Sequence, residues 1–173
     1  MNGITREDKE KDLKISKNLF EKLIKISLII GIVVVSGFIL YYILTPEPGY
    51  VRYGILNENQ ETGNYTTNAQ VNETIYFYLT VGNYLNRDFL FHIDIKKGNS
   101  TTHLSPKEPS NGTLDYSIGN FTLKNNQFFT SNQLNISFSE VGENQLIIAE
   151  LWQIYRGADE YYDILWLQLN ITN

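Results

Sequence analysis

Two hydrophobic patterns divide the chain. Residues 26–45 form one apolar run, ISLIIGIVVVSGFILYYILT, without an acidic or basic side chain. About 20 such residues, rising 1.5 Å each in a helix, cross the hydrocarbon core of a bilayer. After residue 46 the apolar positions recur at every second residue, which is typical of strands. The pattern therefore predicts a single transmembrane helix followed by an all-β domain.

Seven runs in the second part predict strands. They are YVRYGIL, TIYFYLTV, FLFHIDIK, TLDYSIGNFTL, QLNISFS, QLIIAELWQI and YDILWLQLNI. In four of these runs every second residue is apolar, and we expect these side chains to face the core. The four rows are Ile75, Phe77, Leu79 and Val81; Phe89, Phe91, Ile93 and Ile95; Leu134, Ile136 and Phe138; and Leu165, Leu167, Leu169 and Ile171. Short strands at this spacing predict an immunoglobulin-like or fibronectin-like antiparallel β-sandwich. Because the chain has no cysteine, its core must hold without disulfides.

The last two runs, 145–155 and 161–171, flank RGADE and should form an antiparallel hairpin. We expect Tyr155 near Tyr161, with paired residue numbers that add to about 316. The core face then carries Ile147, Ala149, Leu151, Leu165, Leu167 and Leu169, and the opposite face carries Ile148, Glu150, Trp152, Ile164, Trp166 and Gln168. Contiguous apolar side chains with two tryptophans predict a partner-binding site formed by Trp152, Trp166, Ile148 and Ile164. The alternatives are a loop such as 98–112 that covers them, or cross-strand packing alone.

Basic residues beside the apolar run predict its orientation. Residues 6–25 carry seven Lys or Arg, whereas residues 46–65 carry only Arg52. Basic flanks stay in the cytoplasm. A signal peptide would have a shorter apolar region and a small-residue cleavage site. We therefore expect a cytoplasmic charged stub at 1–25, a helix through the lipid bilayer at 26–45, and an extracellular domain at 46–173.

Glycosylation acceptors agree with this topology. The pattern Asn-x-Ser/Thr occurs seven times, at Asn64, Asn72, Asn99, Asn111, Asn120, Asn135 and Asn170. None lies before Asn64, and seven exceeds what chance placement would give. Such acceptors take bulky sugars on the outer side of a membrane. The sequence therefore predicts a glycoprotein with attached N-glycans, in which Asn135 and Asn170 lie on the polar faces of their strands.

Charge and composition argue against several other functions. Residues 46–173 hold 7 basic and 14 acidic residues, so nucleic acid is not an expected partner. His92 and His103 lack further ligands at metal-binding spacing, and we expect both in solvent. The acid pairs Asp159 with Glu160 and Glu58 with Glu61 lie in turns, where general acid/base catalysis is not favoured. We predict no catalytic residue, no metal and no cofactor.

Several stretches resemble the archaeal family known as domain of unknown function 1616. They are GYVRYGILNENQETGNYTTNAQVNETIYFYLTVGN, FTLKNN, ISFSEVGENQLIIAELW and YYDILWLQLNI, and together they span nearly all of residues 49–171. The resemblance implies an extracytoplasmic Ig-like domain on a membrane anchor in an archaeon. It supplies no catalytic residues. Its members often have several spans before the domain, whereas this chain has one.

Two functions fit these predictions. One is a single-pass surface glycoprotein that acts as a non-catalytic binding or scaffold module and docks a protein partner in the membrane or envelope. The alternative is a pilin-like or archaellin-like filament subunit, which also joins an apolar helix to a glycosylated β domain. A filament subunit needs a processing site before its apolar run, and the junction LIKISLII has none. The binding module is therefore favoured.

Overall fold

A computed structural model describes residues 6–45 and 48–173, which fall into two compact units divided after residue 47. Residues 1–5 of the predicted stub and 46–47 of the predicted outer domain lie outside the described residues. The first unit is one helix, α1 (Arg6–Leu44). Its Lys14–Leu44 portion is long and apolar enough to cross a membrane, and its apolar window is not buried. It is therefore a candidate membrane anchor that continues, without a break, from the charged residues.

The second unit contains nine strands. They are β1 (Tyr50–Leu56), β2 (Asn68–Gln70), β3 (Ile75–Tyr84), β4 (Phe89–Gly98), β5 (Thr113–Leu123), β6 (Phe128–Thr130), β7 (Leu134–Ile136), β8 (Gly142–Tyr155) and β9 (Ala158–Thr172). All seven predicted runs form strands. The short strands β2 and β6 are additional, since three residues are too few to show a period of two.

The strands form two sheets that pack as a sandwich. One has the order β1-β3-β6, with β7 also paired to β3, and the larger one has the order β2-β9-β8-β4-β5. Neighbouring strands are antiparallel except β2 and β9, which are parallel. The strand order matches that of an immunoglobulin domain. In the smaller sheet, β1 corresponds to strand A, β3 to strand B, and β6 with β7 to strand E; in the larger sheet, β4, β8 and β9 correspond to strands C, F and G. The predicted immunoglobulin-like fold is confirmed.

The core lies between the two sheets, and the predicted inward rows are confirmed. Members of all four rows are buried or packed against the core, and Phe77, Phe91 and Ile93 are fully buried. Phe91 also contacts two further rings, Phe121 at 5.5 Å and Phe129 at 5.7 Å between centroids. Burial of large aromatic side chains supplies much of the free energy of folding in a domain without disulfides.

The β8–β9 hairpin differs from the prediction in register and agrees in its faces. Its turn has only two residues, Arg156 and Gly157, with φ of 53° and 82°. Ile148 pairs with Trp166 and not with Gln168, so the predicted register is wrong by two residues. From Leu146 to Leu151 this difference of two residues leaves the side chains on the same faces, because successive side chains alternate. A further irregularity between Leu151 and Trp152 places Tyr161 opposite Trp152 on the outer face. The predicted core face is therefore confirmed.

Strand directions define two ends of the sandwich. We call the end with residues 48–50, 84–89, 123–128 and 155–158 the entry end, because the chain enters the sandwich there at β1. The opposite end contains the longer connections 57–74, 99–112 and 137–141, and we call it the far end.

Candidate functional site

The outer face of the larger sheet is the surface that the sequence predicted to bind a partner. In its middle, Leu146, Ile148 and Ile164 form a second apolar cluster, against which Leu104 and Tyr161 pack. Leu104 belongs to the loop 99–112, and the Tyr161 hydroxyl donates a hydrogen bond to the Ser105 carbonyl at 2.7 Å. The loop is thereby fixed over this part of the face.

Two of the four predicted partner-binding residues are therefore wrong. Ile148 is 0% exposed and Ile164 is 4% exposed, so neither is available to another protein. The reason is that the chain's own loop buries them. Sequence periodicity shows which side chains share a face, but it does not show that a connection between other strands will cover that face.

A buried ion pair lies under the same loop. Glu150 is fully buried, and its Oε1 accepts hydrogen bonds from the Ser110 amide and the Ser110 hydroxyl, both at 2.7 Å. Its Oε2 lies 2.8 Å from Lys96 Nζ, which also donates to the Ser110 carbonyl at 3.3 Å. A buried carboxylate needs this degree of compensation. The network therefore fixes the end of the loop to β4 and β8.

The network affects the tyrosines around it. Partial burial, and then the nearby Glu150 carboxylate, raise the pKa of Tyr161 to about 12. Burial, followed by Asp163 and Glu150, raises the pKa of Tyr53 well above its ordinary value. The neutral phenol is favoured in both residues, and Tyr161 keeps the proton that it donates to the Ser105 carbonyl.

Nearer the entry end, the loop leaves a polar cavity open. This cavity, of about 420 Å³, is lined by His92, Ser117, Ile118, Gly119, Asn120, Ile154 and Asp159. His92 Nδ1 lies 3.8 Å from Asp159 Oδ1, and His92 Nε2 lies 3.9 Å from Asp94 Oδ1. The Ser117 hydroxyl donates to Asp94 at 2.5 Å. We call this group the His92 cavity.

The tryptophans differ in how they contribute to the face. The Trp152 indole stacks on the His92 ring with centroids 6.1 Å apart and packs edge-on against Tyr161. Its ring nitrogen is buried without a hydrogen-bond partner among the described residues. Trp166 lies on the uncovered part of the face and is 47% exposed. Trp166 is therefore the predicted partner-binding residue most available for contact.

The positions of the histidines and of the Asp159–Glu160 pair show which polar groups the outer face of the larger sheet presents. The His92 side chain is only 18% exposed, so the expectation of a solvated residue is wrong, whereas His103 is 62% exposed as expected. Asp159 and Glu160 occupy successive positions of β9, so their side chains point to opposite faces. Among the described side chains, those of residues 14–45 and 48–173, no group of three ligating residues could hold a metal. The face therefore offers carboxylates, a hydroxyl and aromatic rings for binding.

All seven acceptor asparagines are exposed. Asn135 and Asn170 point away from the core, which confirms the predicted phase of β7 and β9. Asn120 lines the His92 cavity, a position that the sequence did not predict. Pairing of β4 with β5 brings it there, and such pairing between runs is not visible in the alternation within one run.

The chain has weak structural similarity to several solved domains. No family model and no curated protein matches the chain. The CARDB domain of a Pyrococcus furiosus protein, solved with di-metal ions, is 11% identical, with a TM-score of 0.46 over 75% of this chain and 93% of that domain. Spo0M, a sporulation control protein from Bacillus subtilis, is 9% identical, with a TM-score of 0.45 over 72% of this chain and 50% of that one.

A β-glucosidase from Listeria innocua is also similar, at 9% identity and a TM-score of 0.45, but the match covers only 16% of the enzyme. With TM-scores below 0.5, none of these similarities bears on what the chain does. The resemblance to the archaeal family 1616 stays a prediction.

Proposed function

We propose that the chain is a single-pass surface glycoprotein whose sandwich is a non-catalytic binding or scaffold module of a membrane or envelope assembly. The candidate membrane anchor α1 supports the attachment, and the basic residues in 6–25 support a cytoplasmic N-terminus. Exposure of all seven acceptor asparagines supports an extracellular, glycosylated domain. The resemblance to the archaeal family 1616 supports an archaeal origin.

The observation that carries the proposal is the open part of the outer face. Trp166 is half-exposed beside the cluster that the loop 99–112 closes, and the His92 cavity is open on the entry side of that loop. Exposed tryptophans supported by buried neighbours dominate the binding energy of many interfaces. The cavity is mostly polar, whereas sites for small molecules are mostly apolar. We therefore assign this face to a protein neighbour.

The test compares two exposed aromatic residues on opposite sheets. The full chain, carrying a C-terminal tag, is cross-linked in native membranes and purified as wild type, Trp166→Ser or Tyr76→Ser. Tyr76 is 43% exposed on the smaller sheet, so it matches Trp166 in exposure and in strand context. We expect Trp166→Ser to lower the yield of a cross-linked partner at least about tenfold, because hot-spot truncations cost about 2 kcal/mol or more.

The control should keep the wild-type yield, and both variants should keep the wild-type circular dichroism spectrum. Equal partner yields for Trp166→Ser and the wild type would show that this face is not the docking surface. Loss of the partner in both variants would point to a general defect in the surface of the domain.

A further inference from the structure

A second cluster of exposed aromatic residues lies at the entry end, away from the proposed docking face. Tyr50 is 58% exposed and stacks on Tyr84 with ring centroids 4.8 Å apart. Phe128 is 61% exposed and packs edge-on against Tyr84 at 5.5 Å. The three rings lie side by side on neighbouring strands β1, β3 and β6. They form a continuous aromatic strip on the outer face of the smaller sheet.

Two glycines leave space for close packing around the strip. A side chain at Gly82 would approach the Phe128 ring to 2.9 Å, so the absence of a Cβ there leaves room for that ring. A side chain at Gly49 would collide with the backbone of residues 84 and 85. Gly82 therefore lets the Phe128 ring lie close to the sheet, and Gly49 lets the chain before β1 pass close to the end of β3.

The remaining connections at the entry end add cationic groups. The Arg87 and Arg156 guanidinium carbons lie 5.5 and 5.1 Å from the centre of the Tyr155 ring. Arg52 is exposed on the same face of β1 as Tyr50, and Lys124 is exposed in the connection before β6. Arginine side chains bind phosphate groups, and tyrosine side chains favour the interface between the lipid tails and water.

Charge is distributed unevenly between the ends. At or within two residues of the entry end the sequence has four basic residues, Arg52, Arg87, Lys124 and Arg156, and four acidic ones, so this end carries no net charge. The rest of residues 48–173 holds three basic and ten acidic residues. An anionic surface would therefore repel the remainder of the domain and would meet no net repulsion at the entry end.

Chain connectivity indicates which surface this is. Tyr50 follows the last helical residue, Leu44, by six residues. Six residues span at most about 22 Å when fully extended. If α1 spans a bilayer, the entry end therefore lies within reach of its headgroups.

The acceptor asparagines leave this end free. The entry end has no acceptor asparagine, and six of the seven lie in the far half of the sandwich. These six lie in or beside the connections 57–74 and 99–112, on β7, and near the end of β9. The seventh, Asn120, lies three residues before the end of β5. A surface kept clear of sugars is one that can approach a membrane closely.

We propose that the entry end is a second membrane contact, in which Tyr50, Tyr84 and Phe128 lie among the lipid headgroups and the neighbouring arginines contact lipid phosphates. This inference rests on the proposed membrane anchoring by α1. The contact orients the sandwich so that the acidic far end points away from the bilayer.

The test uses single nitroxide labels, because the chain has no cysteine of its own. The full chain is reconstituted into vesicles of phosphatidylcholine with a minor fraction of phosphatidylglycerol. One label is attached at Asp88→Cys in the entry end, one at Ser139→Cys in the far end, and one at Val34→Cys in α1. Collision rates with oxygen, which partitions into lipid, and with a water-soluble nickel chelate report the depth of each label.

We expect the Asp88→Cys label to collide with the nickel chelate several-fold less often than the Ser139→Cys label. Replacing Tyr50 and Phe128 by serine should remove most of that difference, whereas Tyr76→Ser should leave it unchanged. Vesicles without phosphatidylglycerol should show a smaller difference, since the arginines lose anionic partners.

The outcomes separate the two proposals. A Val34→Cys label in lipid, with equal nickel collision rates at the two ends of the domain, would overturn the second contact and leave the anchor intact. A Val34→Cys label open to the nickel chelate would overturn both. Spin–spin broadening at the Asp88→Cys label that disappears when the vesicles contain fewer copies of the chain would assign the strip to a second copy and overturn the lipid contact.

Discussion

Glu150 shows how much of the local architecture depends on one side chain. It is the fully buried carboxylate on β8, and it joins the loop 99–112 to the sheet through Ser110 and to β4 through Lys96. An ion pair of this kind is a weak source of net stability, but removal of one partner leaves the other charge buried. The position of Lys96 is therefore more critical than its partial exposure suggests.

Replacement of Lys96 by methionine tests this dependence. We expect Lys96→Met to lower the free energy of unfolding by about 3–5 kcal/mol, because the Glu150 charge loses the one cationic contact that it makes within the described part of the chain. Addition of Glu150→Gln should recover most of the loss, since an amide oxygen still accepts from Ser110 without a charge. Urea unfolding of the full chain in detergent, followed by tryptophan fluorescence, measures both. A double variant as unstable as Lys96→Met would attribute the loss to packing of the lysine stem.

Among the elements, the β8–β9 hairpin has the most demanding backbone. A two-residue turn with positive φ at both positions matches the twist of the strands, and glycine and asparagine adopt it most readily. The second position is Gly157, and the first is Arg156, which adopts a conformation that is rare for a long side chain.

Substitutions in this turn should have opposite effects. Apart from its two chain neighbours, a Cβ at Gly157 would meet no atom of the described residues within 4 Å, so Gly157→Ala acts mainly through φ. We expect it to destabilise the domain by about 1–2 kcal/mol, the usual penalty for a left-handed residue. Arg156→Asn should be neutral or slightly stabilising, because asparagine tolerates positive φ. The thermal unfolding midpoints of both variants test these expectations. An unchanged midpoint in Gly157→Ala would contradict a requirement for positive φ at this position.

The same hairpin shows how far the sequence could predict the structure. Alternation placed Leu151 and Leu169 inward correctly, because a period of two depends only on neighbours along the chain. The register was wrong because RGADE contains several possible turns, and only the φ preference of Gly157 selects the two-residue form. The cover over Ile148 depends on Leu104 and Ser110, which lie about 40 residues away in sequence. Such long-range packing leaves no periodic signal.

For the whole molecule, the division into helix and sandwich leads to a test of topology. Protease added to intact cells should leave a protected fragment with the N-terminal charged residues and α1, because the basic flank favours a cytoplasmic N-terminus. Antibodies to the N-terminus and to the C-terminus would identify the fragments on a gel. Protection of the entire chain would contradict an extracellular domain, and permeabilised cells provide the control in which the N-terminal fragment is also cut.

In the middle of strand β8, neither face of the strand is exposed to solvent. From Leu146 to Leu151 every residue is buried, alternately against the other sheet and against the loop with its ion pair. In an ordinary surface strand, every second position is free to drift among polar residues over evolutionary time. Here no position in LIIAEL has that freedom, since each change disturbs one of two packed layers. Packing alone should therefore make this segment one of the slowest to diverge among homologues.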